Sequence, residues 1–136
     1  MDSTSTSTLA SINTQFRVII AGSRGFTDYP KLKAFCDNLL KIKSSTHSIT
    51  IVSGGAQGAD KLGEKYAKEN NYGLDVYKAD WNTYGKSAGY KRNQQMSLHA
   101  DVLIAAWDSK SRGTMHMINI MNTANKPVRI LHFKQP

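Results

Sequence analysis

Asp60 and Glu64 stand four residues apart. On a helix that spacing puts both carboxylates on one face, one turn apart. Such a pair can polarise a water or a ribose hydroxyl, which is general acid–base work. The plainer alternatives are a carboxylate capping the helix start and a solvated surface glutamate. The four histidines, His47, His99, His116 and His132, show no metal-ligand spacing, and His99 and His116 read as ordinary helix-face residues. A single cysteine, Cys36, leaves no intramolecular disulfide and no cysteine-cluster zinc site. It reads as a free buried thiol. No Gly-x-Ser-x-Gly nucleophile elbow occurs.

The denser signal lies in four segments. They are Gly22-Ser23-Arg24-Gly25-Phe26, then Gly54-Gly55-Ala56-Gln57-Gly58-Ala59-Asp60, then a long stretch from Ala79 through Gly85 and Gly89 into Tyr90-Lys91-Arg92-Asn93, and last Asp108 to Thr114 with Gly113. Glycine removes Cβ bulk, admits positive φ and lets main-chain N–H groups approach a ligand. A loop that runs into a helix start also presents unpaired amides and a partial positive charge. Arg24, Lys86, Lys91, Arg92, Lys110 and Arg112 fall in or beside these segments, and guanidinium groups grip phosphate with paired hydrogen bonds. A phosphate-bearing ligand suits that set. Neither the Walker A pattern nor G-x-G-x-x-G is present, and Gly55-x-x-Gly58 alone is a weak signal.

Other polar positions leave two roles open. Ser53 bonds a ligand or closes its turn. Asp108 contacts a ribose or caps the segment after it. Asn93 reads a base or ribose, or is an ordinary exposed helix residue. Trp81, Tyr84 and Tyr90 can stack on a base, although the expectation for Trp81 and Trp107 is that they cover the edge of the core.

The elements that must position these groups follow from patterning. Arg17–Ala21, Ile49–Ser53, Leu74–Lys78, Asp101–Trp107 and Val128–His132 are short, apolar and β-branched, as buried strands are. Pro30–Ile42, Ala59–Asn70, Ala88–Ala100 and Thr114–Asn125 have helical spacing. Strict alternation of five strands with four helices predicts an α/β fold with a mostly parallel five-stranded sheet and right-handed crossovers. In such a sheet the ligand sits outside the carboxyl ends of the strands, where the four segments fall.

The bulk properties agree. A chain of 136 residues suits one domain. Residues 1–14 include eight Ser or Thr and read as a disordered tail, leaving 15–136 as the domain. A net charge of +8 should attract phosphates, nucleotides or nucleic acid. No apolar run approaches the ~20 residues of a membrane span, and the first residues have no signal-peptide pattern, so the expected location is cytoplasmic.

The segments Ala21-Gly22-Ser23-Arg24, Ser53 to Asp60, Ala88-Gly89-Tyr90-Lys91-Arg92-Asn93-Gln94-Gln95-Met96 and Gly113-Thr114 together resemble the YspA-like (cpYpsA-related) branch of the SLOG superfamily, which groups DprA-type and LOG-type proteins. The resemblance runs from about Arg17 to Leu131. It implies a Rossmann-like three-layer α/β/α sandwich with a pocket for a nucleotide or nucleotide-derived ligand, ADP-ribose among the candidates. On matching positions, Gly22, Ser23 and Arg24 would line one wall, and Gly54, Gly55, Gly58 and Asp60 would hold phosphate or ribose. Arg92 and Asn93 would reach in from the third helix, and Gly113 and Thr114 would close the site. Relatives occur in phage and phage-conflict settings, and proteins of this superfamily commonly pair, so a homo-oligomer is an expected state. No cofactor or metal is expected.

One departure bears on activity. LOG-type enzymes carry P-G-G-x-G-T-x-x-E, whose glutamate supports cleavage of the base–ribose bond. Here Ser109-Lys110-Ser111 replaces P-G-G, and Met117 stands at the glutamate position. A thioether cannot act as a general acid or stabilise an oxocarbenium ion. The leading expectation is therefore binding or sensing of a nucleotide-derived ligand. The first alternative is a hydrolase cleaving an N-glycosidic or phosphoester bond, with Asp60 or Glu64 as its carboxylate. The second is DprA-like single-stranded nucleic-acid binding.

Overall fold

The computed structural model describes residues 14–135. Most of the expected N-terminal tail lies outside the described residues. Five strands, β1 Gln15–Gly22, β2 Ser48–Ser53, β3 Gly73–Val76, β4 Val102–Trp107 and β5 Val128–His132, form one sheet in the order β3-β2-β1-β4-β5. Every pairing is parallel. The helices are α1 Tyr29–Leu40, α2 Ala59–Glu69, the short α3 Trp81–Tyr84, α4 Ala88–His99 and α5 Arg112–Thr123. Single 3₁₀ turns occupy Lys43–Ser45 and Gly85–Ser87.

The three layers follow from the two-residue period of β1. Val18 and Ile20 point to one face and pack with α1 and α2 through Leu32, Cys36, Ala59 and Tyr66. Ile19 and Ala21 point to the other and pack with α4 and α5 through Met96, Met117 and Met121. All four β1 residues are buried, which is why the strand reads as a continuous apolar run. Cys36 is a buried free thiol, and burial pushes its pKa up to about 12. Asn71 and Asn125 take positive φ after α2 and α5, closing those helices without glycine.

Strand order decides where a ligand can sit. The chain builds outward from β1 through β2 to β3, then crosses over to place β4 on the other side of β1. The loops after β1 and β4 therefore leave toward opposite faces and open a crevice at the carboxyl ends of these neighbours. The crossover itself holds the largest departure from the expected elements. The stretch after β3, read as a loop, contains α3, whose first turn Asp80 caps by accepting from Thr83 N at 3.1 Å. α5 also begins earlier, at Arg112.

Gly63 shows how tightly α2 lies on β1. A Cβ on Gly63 would stand 2.7 Å from Ile20 Cβ and Cγ2. Gly63→Ala should therefore lower the unfolding free energy by about 1–3 kcal/mol through overpacking, although alanine is the better helix former. Urea denaturation measures this, and a more stable variant would show that the α2–β1 contact can relax.

Candidate functional site

The crevice is built on close approaches that only glycine permits. A Cβ on Gly22 would lie 2.1 Å from Ala106 O, and the next amide, Ser23 N, donates to that carbonyl at 2.9 Å. The Ser23 hydroxyl accepts from Asp108 N at 3.2 Å, so the loops after β1 and β4 are tied together. Gly58, with φ of 78°, brings the start of α2 onto the same loop. Its Cβ would stand 2.3 Å from Arg24 O, and Ala59 N donates to Ser23 O.

Asp60 lies in the first turn of α2 and is only 4% exposed. Its carboxylate accepts from Ala56 N at 3.2 Å and from the amide of Gly22. Burial raises its pKa to about 6, against the opposing pull of these amides and of the Arg92 charge. Arg92 reaches across from α4, and its Nη1 donates to Gly54 O at 2.5 Å. Gly54 is the meeting point, because a Cβ there would lie 2.8 Å from both Arg92 Nη1 and Asp60 Oδ2.

Asn93 is buried, not an exposed helix residue. Its Oδ1 accepts from Arg92 Nε at 3.1 Å, and its Nδ2 donates to Gly113 O and to His116 Nδ1. It therefore orients Arg92 and pins the start of α5. His116 thus backs the site through Asn93 and Tyr90, rather than lying free on a helix face.

These contacts frame a cleft of about 470 Å³. Gly22, Ser23, Arg24, Asp60, Arg92, Asn93, Asp108, Gly113 and Thr114 all line it. Ser53, Gly54, Gly55, Gly58 and Glu64, named with them from sequence, do not. Ser53 is buried behind the loop, donating to Glu64 Oε2 at 2.8 Å and accepting from Gly55 N. That bond engages the Glu64 carboxylate behind the loop, and Lys61 pairs with it at 3.6 Å. Gly55, with φ of 73°, faces Val76 of β3. These glycines shape the loops that carry the cleft. Asp108 lines the cleft with a committed carboxylate. It accepts from Lys110 N and Ser111 N and meets Gln135, and those amides lower its pKa to about 2.

Three lining residues stand out that the patterning did not assign to the site. Met117 is buried in the wall of the cleft. Gln135 arrives from the C-terminal segment. Trp81 is 54% exposed at the cleft, which overturns its expected place over the core edge. Trp107 does pack on the core, with Nε1 donating to Ser111 O. Periodicity could not find Trp81, because its position is set by the crossover from β3 to α4. Among the described residues no group of three or more His, Cys, Asp or Glu could hold a metal ion, and no helix is long and apolar enough to cross a membrane.

The raised pKa of Asp60 fixes the sign of a pH effect. The folded state holds its proton up to about pH 6, whereas the unfolded chain releases it near 3.8. Asp60 thus favours the folded state below pH 4, and that contribution is lost as pH rises through 6, by on the order of 3 kcal/mol. The stability of Asp60→Asn relative to the wild type should grow between pH 4 and pH 7. Urea melts across that range test it; a constant difference would mean Asp60 titrates alike in both states.

The family model described as YspA, cpYpsA-related SLOG family matches residues 16–84, which run from β1 through the loops at Gly22 and Gly54 to α3. The Gene 61 protein of Mycobacterium phage D29 is 34% identical over 119 residues, covering 82% of this chain and 93% of that protein. Among solved structures, DNA processing protein A (DprA) from Streptococcus pneumoniae superposes with a TM-score of 0.66 at 14% identity, over 86% of this chain. The chain spans 50% of DprA's length. The structural-genomics target TM1055 superposes with a TM-score of 0.57 at 18% identity, covering 85% of this chain and 72% of that one. At such identities the two structures share the Rossmann-like fold with this protein. With half the chain matched by the family model and a relative 34% identical across most of both sequences, the chain belongs to the YspA, cpYpsA-related SLOG family.

Proposed function

We propose that this protein binds a nucleotide or nucleotide-derived phosphate ligand, ADP-ribose among the candidates, in the cleft at the carboxyl ends of β1 and β4. One observation carries the reading: Arg24 and Arg92 line the same cleft and their like charges oppose each other, with Lys86 a third cation on its wall. The carboxylates nearby do not offset that charge freely. Asp60 is bound to loop amides, and Asp108 to the turn before α5. Among the described residues Arg24 forms no ion pair. A phosphate would relieve the repulsion and accept from the opening amides of α5 at Gly113 and Thr114.

Hydrolysis of the ligand is a narrower reading, and Asp60 is the residue that favours it. With Met117 at the position matched to the LOG-type glutamate and Glu64 held on Ser53, Asp60 is the carboxylate in the cleft whose pKa is raised to about 6. Single-strand nucleic-acid binding is favoured by a different observation, the likeness to a DNA processing protein together with the net charge of +8.

A thermal-shift panel tests these readings. It holds nucleoside mono- and diphosphates, ADP-ribose and a single-stranded oligonucleotide. A ligand at one hundred times its Kd should stabilise the fold by ~2.7 kcal/mol, a melting shift of several degrees. Arg24→Ala removes an exposed side chain, so the free protein should melt unchanged while the ligand-induced shift falls. An undiminished shift in that variant would remove Arg24 from the site. A shift with the oligonucleotide alone, falling steeply with salt, would favour the nucleic-acid reading.

A further inference from the structure

The cleft carries two chemistries side by side. Arg24, Arg92 and the start of α5 supply charge and amides, whereas Trp81 and Tyr90 add aromatic surface. Trp81 is 54% exposed and Tyr90 47%. Aromatic rings carry large apolar areas and normally pack away or meet partners. Tyr84, next to them in the chain, has such a partner: Lys91 Nζ lies 4.9 Å from its ring centroid. Tyr90 is backed by the His116 ring, with centroids 4.3 Å apart. Trp81 makes no ring, cation or side-chain hydrogen-bond contact among the described residues. Its indole therefore stands at the cleft with no partner assigned to it.

Gly89 links the two chemistries. A Cβ there would lie 3.6 Å from Trp81 Cη2 and 3.9 Å from Arg92 Nη2. The edge of the indole and the guanidinium thus flank one point, and glycine leaves the space between them open. A ligand with a flat apolar ring at one end and an anion at the other, joined by a short spacer, matches that order of groups.

We propose that Trp81, with Tyr90 beside it, is the base subsite of this cleft, stacking the aromatic base of a nucleoside phosphate whose phosphate lies at Arg92 and Arg24. This inference rests on the phosphate-ligand reading above and assigns the other end of the same ligand. It also predicts loose base selectivity. Stacking reads the π-face that every base has. The Asn93 amide, which could read a base edge, is committed to Arg92, Gly113 and His116. Burial lowers the His116 pKa, so its ring stays neutral at pH 7 and keeps the Asn93 bond.

Isothermal titration of the full chain at pH 7.5 tests the assignment, with inorganic phosphate, ribose 5-phosphate, adenosine 5′-monophosphate and uridine 5′-monophosphate as probes. Both nucleotides should bind roughly ten- to a hundred-fold tighter than ribose 5-phosphate, with the purine ahead by less than ten-fold. Trp81→Ala should erase that advantage and leave ribose 5-phosphate unchanged, and Trp81→Phe should restore most of it. Trp81 is exposed, so both variants should melt like the wild type. Equal affinity for ribose 5-phosphate and the nucleotides would overturn the base subsite while sparing the phosphate reading. So would a Trp81→Ala loss that falls equally on all probes. Failure of every probe to bind would overturn both.

Discussion

Asp60 keeps a carboxylate out of water at the start of α2, and the loops after β1 and β2 are folded around it. A buried carboxylate is costly unless amides and a counter-charge replace its lost water. Ala56 N, the Gly22 amide and the nearby charge of Arg92 make that replacement. It is incomplete, since burial still raises the pKa to about 6. A neutral residue would spare the fold that cost. What the carboxylate adds is geometry: one group joins the ends of two strands and faces the arginine of a third element across Gly54.

The glycines serve the same knot. Gly22, Gly54 and Gly58 sit where a Cβ would collide with Ala106, with Arg92 and Asp60, or with the Ser23 and Arg24 carbonyls. Glycine-rich loops are commonly read as cradles for phosphate, but here the second loop's glycines let protein approach protein. The groups left facing the cleft are side chains and helix-start amides. Arg24, Lys86 and Arg92 give it positive charge, and the oriented amides of α5 act with them.

Arg92 holds its place through Asn93, which binds the guanidinium, the Gly113 carbonyl and His116 at once. α4 and α5 are thereby joined into one wall, and the cation is held in place by the protein itself. Pre-positioning lowers the ordering cost of binding. Met117 lines the same cleft from α5. Its buried thioether adds an apolar surface among the charged groups.

The layers of the fold and the sheet edge that carries the cleft are legible in the sequence. Short, mostly apolar, β-branched runs such as Ile49–Ser53 suit strands covered on both faces, and five of them alternating with amphipathic helices point to a parallel α/β sheet. Nine of the residues that line the cleft were legible too, because loops after parallel strands share one edge. Local spacing could not decide which way a loop residue faces. Glu64 is one turn from Asp60, yet Ser53 takes its carboxylate, and that serine comes from another element. Gly55 turns to β3 because positive φ reverses the chain there. Trp81 is expected over the edge of the core, but the crossover from β3 to α4 carries it to the cleft, where it is largely exposed. Those choices depend on contacts between residues far apart in the chain, so only the tertiary structure could make them.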